Sequence, residues 1–135
     1  ESDVLLLLDV VEHLSDPHEF LAKLHGRAKY YVFHIPLDLS AVNVFRETPL
    51  LYARNKVGHI HYFTKKLALS LLSESGYEVI DSCYTQAAFS APLRSWKTII
   101  ARPLRRMAYV LLGKDRGVLF LGGETLMVVA KSQES

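Results

Sequence analysis

Asp3-Val4-Leu5-Leu6-Leu7-Leu8-Asp9-Val10-Val11-Glu12-His13-Leu14-Ser15-Asp16-Pro17 is the stretch whose reading decides the fold. Residues 4–8 are an unbroken apolar run between two acids, the pattern of a strand covered on both faces in a parallel sheet. Ser15-Asp16-Pro17 breaks the run too soon for one helix to carry it. Asp16 instead reads as an N-cap, with Pro17 at the first helical position and Glu19 three residues past the cap. Phe20, Leu21 and Leu24 then fall on one helical stripe, and Gly26 suits the left-handed position that ends a helix. A buried strand, a polar turn and a capped helix make the opening of an α/β unit.

Working outward, residues 30–35 are rich in aromatic and β-branched side chains and stop at Pro36, as a second strand would. A long connection, 36–63, follows, with short helices expected near 41–45 and 49–54. Its length suits a lid or substrate loop. Thr64 caps a helix carrying Leu67, Ala68, Leu71 and Leu72, which Gly76 ends. Residues 77–84 read as a third strand. Residues 91–112 read as helical, with Pro103 expected to interrupt any single helix. Residues 125–131 form a last strand after Gly122-Gly123. The alternation predicts one α/β domain over residues 1–135.

Half of the 135 residues are apolar, enough for a core, and the formal net charge is only +2. That charge is too small to argue for a nucleic-acid partner. Cys83 is the one cysteine, which excludes an internal disulfide and a thiolate metal cluster. No apolar run reaches the roughly 18 residues of a membrane span. A basic, then apolar, leader is also missing, and the expectation is a cytoplasmic protein. The chain enters a buried-looking strand almost at once and without an initiator methionine, as a fragment of a larger domain would.

Two segments carry a family resemblance. Asp9-Val10-Val11-Glu12-His13-Leu14-Ser15-Asp16-Pro17, after its apolar strand, resembles the end of the fourth strand in class I S-adenosylmethionine-dependent methyltransferases of the broad small-molecule group. Gly58-His59-Ile60-His61-Tyr62-Phe63-Thr64, with the helix and Gly76-Tyr77-Glu78-Val79 behind it, resembles that group's approach to its sixth strand. Residues 126–131 resemble its seventh. The resemblance implies a Rossmann-like methyltransferase sheet truncated to about strands four to seven with flanking helices. It also implies methyl transfer from S-adenosylmethionine to a small-molecule acceptor. The family's glycine-rich cofactor loop has no counterpart, since no glycine precedes Gly26. The isolated chain is therefore expected to be inactive. A non-catalytic binding or assembly module that retains half of the fold is the alternative.

By the same resemblance, Asp9, Val10 and Glu12 would lie against the cofactor. Asp9, Glu12 and His13 share one side of the chain if it turns helically after Asp9. With His59, which falls where some relatives carry a further ligand, they would make a set for Mg²⁺ or Mn²⁺. The plainer account is a helix start and pocket wall, and the family's metal enzymes begin this motif with Glu rather than Asp. His13, His59 and His61 are the candidate general bases on a substrate hydroxyl. His34, inside a strand, reads as structural.

Seven cations stand between Arg94 and Arg116 against one acid, Asp115. They interleave with Trp96, Ile99, Ile100, Leu104 and Met107. This basic helical insertion, 91–116, suits peripheral contact with an anionic membrane, although a solvated helix packed on the sheet is the plainer account. The edge of strand 4–8, stripped of a neighbour, is expected to promote self-association.

Overall fold

The computed structural model describes residues 2–90 and 96–133. Strand β1 (Ser2–Leu8) leads through a capped helix α1 (Pro17–Lys23) to β2 (Ala28–Pro36). The connection beyond holds α2 (Ala41–Arg46), α3 (Thr48–Tyr52) and one π-helical turn, Ala53–Val57. Helix α4 (Lys65–Glu74) then precedes β3 (Tyr77–Tyr84). Three helices, α5 (Ala87–Ser90), α6 (Trp96–Leu112) and α7 (Lys114–Leu121), lead to the last strand, β4 (Thr125–Ser132).

The expected caps form. The Asp16 carboxylate accepts from the Glu19 amide at 2.8 Å, and the Thr64 hydroxyl accepts from the Leu67 amide at 3.3 Å. Gly26 and Gly76 take the left-handed conformation past α1 and α4, at φ +71° and +81°.

The sheet runs β1-β2-β4-β3. β1 pairs in parallel with β2, and β4 inserts antiparallel between β2 and β3. Tyr31, Phe33 and Ile35 of β2 and Leu126, Val128 and Ala130 of β4 alternate onto one face. Leu21 of α1 and Ala68, Leu71 and Leu72 of α4 join them in a single core. Two buried tyrosines fix α1 to the sheet: Tyr31 donates to the Leu24 carbonyl at 2.6 Å, and Tyr77 to that of Leu21 at 2.8 Å. Both carbonyls lie at the C-terminal end of the helix, where the tyrosine hydroxyls add to the 3.1 Å bonds from the Leu24 and Arg27 amides.

Four expectations need correction. β1 is covered on one face, not two: Leu7 is buried, whereas Val4, Leu6 and Leu8 are about half-exposed. The core helices pack on a single face, and the period of two sends the even residues to the other. Leu67, expected in the apolar stripe of α4, is exposed. Helix α6 runs through Pro103 without interruption. That proline lies on the solvent side, where water can replace the missing donor to the Ile99 carbonyl. Helix α7 was not expected. Of the predicted helical stretch 91–112, residues 91–95 lie outside the described residues.

Candidate functional site

The chain leaves β1 through Asp9, whose φ is +53°, a left-handed conformation that aspartate tolerates better than most residues. The turn carries Asp9 back over β2. Its amide donates to the His34 carbonyl at 3.0 Å, and its carboxylate accepts from His34 Nδ1 at 2.8 Å. One turn of 3₁₀ helix, Val11–His13, follows and buries Val11 and Glu12 completely.

The two segments that carried the family resemblance meet here. Amides of Ile60 and His61 donate to the Glu12 carbonyl at 2.8 and 3.1 Å. His61 Nε2 donates to the Leu14 carbonyl at 2.8 Å, and His13 Nδ1 donates to the Gly58 carbonyl at 2.9 Å. The π-helical turn ends at Gly58, whose φ of +88° reverses the chain into this contact. His59, almost buried, donates from Nδ1 to Asp38 Oδ2 at 2.6 Å, so an acid just past the end of β2 sets its orientation.

Both imidazoles thus spend Nδ1–H on a fixed acceptor, which leaves each Nε2 with a lone pair in the neutral form. These Nε2 atoms lie 3.8 Å (His13) and 3.9 Å (His59) from Glu12 Oε1, with ring centroids 4.9 Å apart. Neither carboxylate oxygen of Glu12 has a hydrogen-bond partner among the described residues. Burial pushes the Glu12 carboxyl above its ordinary range. The nearby Asp9 charge adds to this, while the turn backbone and the two histidines oppose it. One carboxylate and two imidazole lone pairs, all within 4.8 Å of one another, face each other with no donor between them. Such a set of acceptors suits a proton or a divalent cation, and imidazole with carboxylate is a borderline donor set. Hydrogen bonds to the outer nitrogens, from Asp38 and the Gly58 carbonyl, are the usual support of metal-binding histidines.

Of the residues singled out from the sequence, Glu12, His13 and His59 are brought together. Asp9 is not in that cluster, because its left-handed turn replaces the helical continuation that would have aligned it with Glu12. Its carboxylate goes to His34, which is accordingly a strand residue held in place. Val10 is half-buried beside the turn. His61 ties the loop to Leu14. Asp38 escaped the sequence reading; an acid two residues beyond a strand-ending proline was its one available signal.

A cavity of about 580 Å³ lies apart from this cluster, between α4, β3 and α7. Its wall is mainly Leu37, Leu39, Leu69 and Val118, with Tyr84 and Asp115 at one end. The Tyr84 hydroxyl donates to Asp115 at 2.5 Å and, with Lys65, holds that carboxyl below its ordinary range.

Comparison with solved structures places the fold. A Bacillus halodurans protein described as a methyltransferase matches 99% of this chain and 67% of its own, with a TM-score of 0.55 at 11% identity. A chain from the complex between the Haloferax volcanii Trm112 methyltransferase activator and its methyltransferase matches 98% of this chain and 54% of its own. Its TM-score is 0.53 at 12% identity. No protein-family model matches the chain, and no curated protein does. The fold is the Rossmann-like fold of the class I methyltransferases, in a four-stranded mixed form. This chain spans about two thirds of the first neighbour and about half of the second, and at such identities the likeness is one of fold.

Proposed function

We propose that this chain is the acceptor-side half of a methyltransferase, using S-adenosylmethionine as donor and a small molecule as acceptor. The observation that carries the proposal is the cluster at the carboxyl edge of the sheet. There, 9–13 and 58–61 are hydrogen-bonded into one wall, where open α/β sheets bind ligands. A lone pair on the acceptor would attack the sulfonium methyl, the carbon–sulfur bond would break, and the sulfur would leave as a neutral thioether. An acceptor hydroxyl must also lose a proton, and His13, the more exposed of the paired histidines, would take it at Nε2. His59 shares that role by position. His61 shapes the wall through its bond to Leu14. Alignment and exclusion of water would supply most of the rate.

Glu12, His13 and His59 are the residues that would hold a divalent ion such as Mn²⁺ or Mg²⁺. When bound, the ion would lower the pKa of an acceptor hydroxyl. Asp9 and Val10 would flank the donor's amino-acid portion, with Glu12 supporting them from below.

Titrating S-adenosylhomocysteine into ¹⁵N-labelled chain and following amide shifts tests the reading even if binding is weak. Movement of the Asp9, Val10 and His34 amides is expected; saturating additions that leave all three unmoved would overturn it. The second reading, an assembly module, draws on the exposed Val4, Leu6 and Leu8 of edge strand β1. The Haloferax neighbour likewise comes from a complex with an activator protein.

A further inference from the structure

Helix α6 is amphipathic the wrong way round for a helix packed on its own protein. At about 100° per residue, its large apolar side chains other than Leu112 fall in one stripe about 140° wide. Ile99, Ile100, Leu104, Met107, Val110 and Leu111 lie in it, and every one is more than half exposed, Val110 by 84%. The opposite side is anchored to the protein through Arg105 and Tyr109. Arg105 donates to the Gly122 carbonyl and, at 3.3 Å, to the Tyr109 hydroxyl, which donates to buried Glu124 at 3.4 Å. Gly117 of α7 closes against the Tyr109 ring, since a Cβ there would lie 2.4 Å from ring carbon Cδ1. These contacts fix the roll of the helix, so the apolar stripe cannot turn inward.

Charge decides what the stripe fits. Lys97 and Arg106, both exposed, fall at its two edges, and Lys114 and Arg116 extend the basic rim onto α7. No acid occurs between Asp81 and Asp115. A second copy or an apolar protein surface would not call for cations at both edges, whereas an anionic bilayer does. At about 25 Å the helix is too short to cross a bilayer, and no helix among the described residues is long and apolar enough to do so. We propose that α6 lies in the plane of an anionic lipid surface, with its apolar stripe among the acyl chains and Lys97 and Arg106 at the headgroups.

Trp96 starts the stripe and is the single tryptophan, so its fluorescence reports on this face. Its emission should shift to the blue with vesicles of phosphatidylcholine and phosphatidylglycerol at seven to three, and far less with phosphatidylcholine alone. Met107→Asp should abolish the shift. Lys97→Glu with Arg106→Glu should weaken partitioning at least about tenfold at low salt. Circular dichroism would confirm that both variants stay folded. An emission that ignores both vesicles overturns the proposal, as does equal binding to both at every salt concentration. A blue shift that grows with protein concentration without vesicles, accompanied by dimer in sedimentation, also overturns it and assigns the face to self-association.

Discussion

Replacing Glu12 by Gln should make the protein more stable at pH 8, although the residue lies in the core. Both Glu12 oxygens are buried without a donor among the described residues, and a buried acceptor left unmade costs about 1–3 kcal/mol, more when charged. Glutamine keeps the shape, removes the charge and presents an NH₂ toward two imidazole Nε2 atoms now 3.8 and 3.9 Å from Oε1. The expected gain is about 1–3 kcal/mol, or about 3–10 °C in Tm for a domain of this size. The pH dependence has a definite sign. A carboxyl whose pKa is raised on folding makes the native state hold the extra proton, so stability falls as pH rises above the ordinary glutamate value through the raised one. Glu12→Gln should lose that slope. The assay is thermal unfolding from pH 4 to 8 in the presence of a chelator. A variant less stable than the parent at pH 8 would refute the reasoning, since the carboxylate would then have to be satisfied in the native state.

Further outcomes are expected elsewhere. Mn²⁺ should raise the Tm of the parent at pH 8 but not that of Glu12→Gln, and Asp38→Asn should weaken Mn²⁺ binding about 10–100-fold by calorimetry. Leu72→Ala empties a fully buried site between α4 and the sheet and should cost about 2–5 kcal/mol in urea unfolding. Gly76→Ala should cost at least about 1 kcal/mol by the same measurement, because φ is +81° and the new Cβ would fall 2.6 Å from His25 Cε1. Leu6→Lys on the bare side of β1 should leave the Tm nearly unchanged and reduce any self-association seen in sedimentation.

The α/β class, the four strands and the two capped helices were legible in the sequence, because caps, left-handed glycines and apolar runs act over a few residues of chain. Asp16, Thr64, Gly26 and Gly76 signal their roles locally. The pairing of Glu12 with His13 was legible for the same reason, being adjacent in the chain. Helix α7 gives little local signal, because it is eight residues long and carries Gly117, a poor helix former, in its middle. Gly117 is there for Tyr109, a contact between two helices that no local pattern records. His59 was a candidate, yet its bond to Asp38 and its approach to Glu12 depend on how the 36–63 connection returns to the sheet edge. Asp9 parted from the cluster on one backbone angle.

What the sequence determined by itself is the four strands, the two capped helices and the glycines that end them, since those choices are settled by neighbours within one or two turns of chain. The tertiary structure alone decided which face of each segment meets another. It left one side of β1 bare, closed Glu12, His13 and His59 into a single acceptor cluster, and turned the apolar stripe of α6 outward by anchoring its opposite side at Gly122 and Glu124. Those outcomes rest on contacts between residues far apart in the chain, and hydrophobic periodicity reports that a face exists without stating what it will touch.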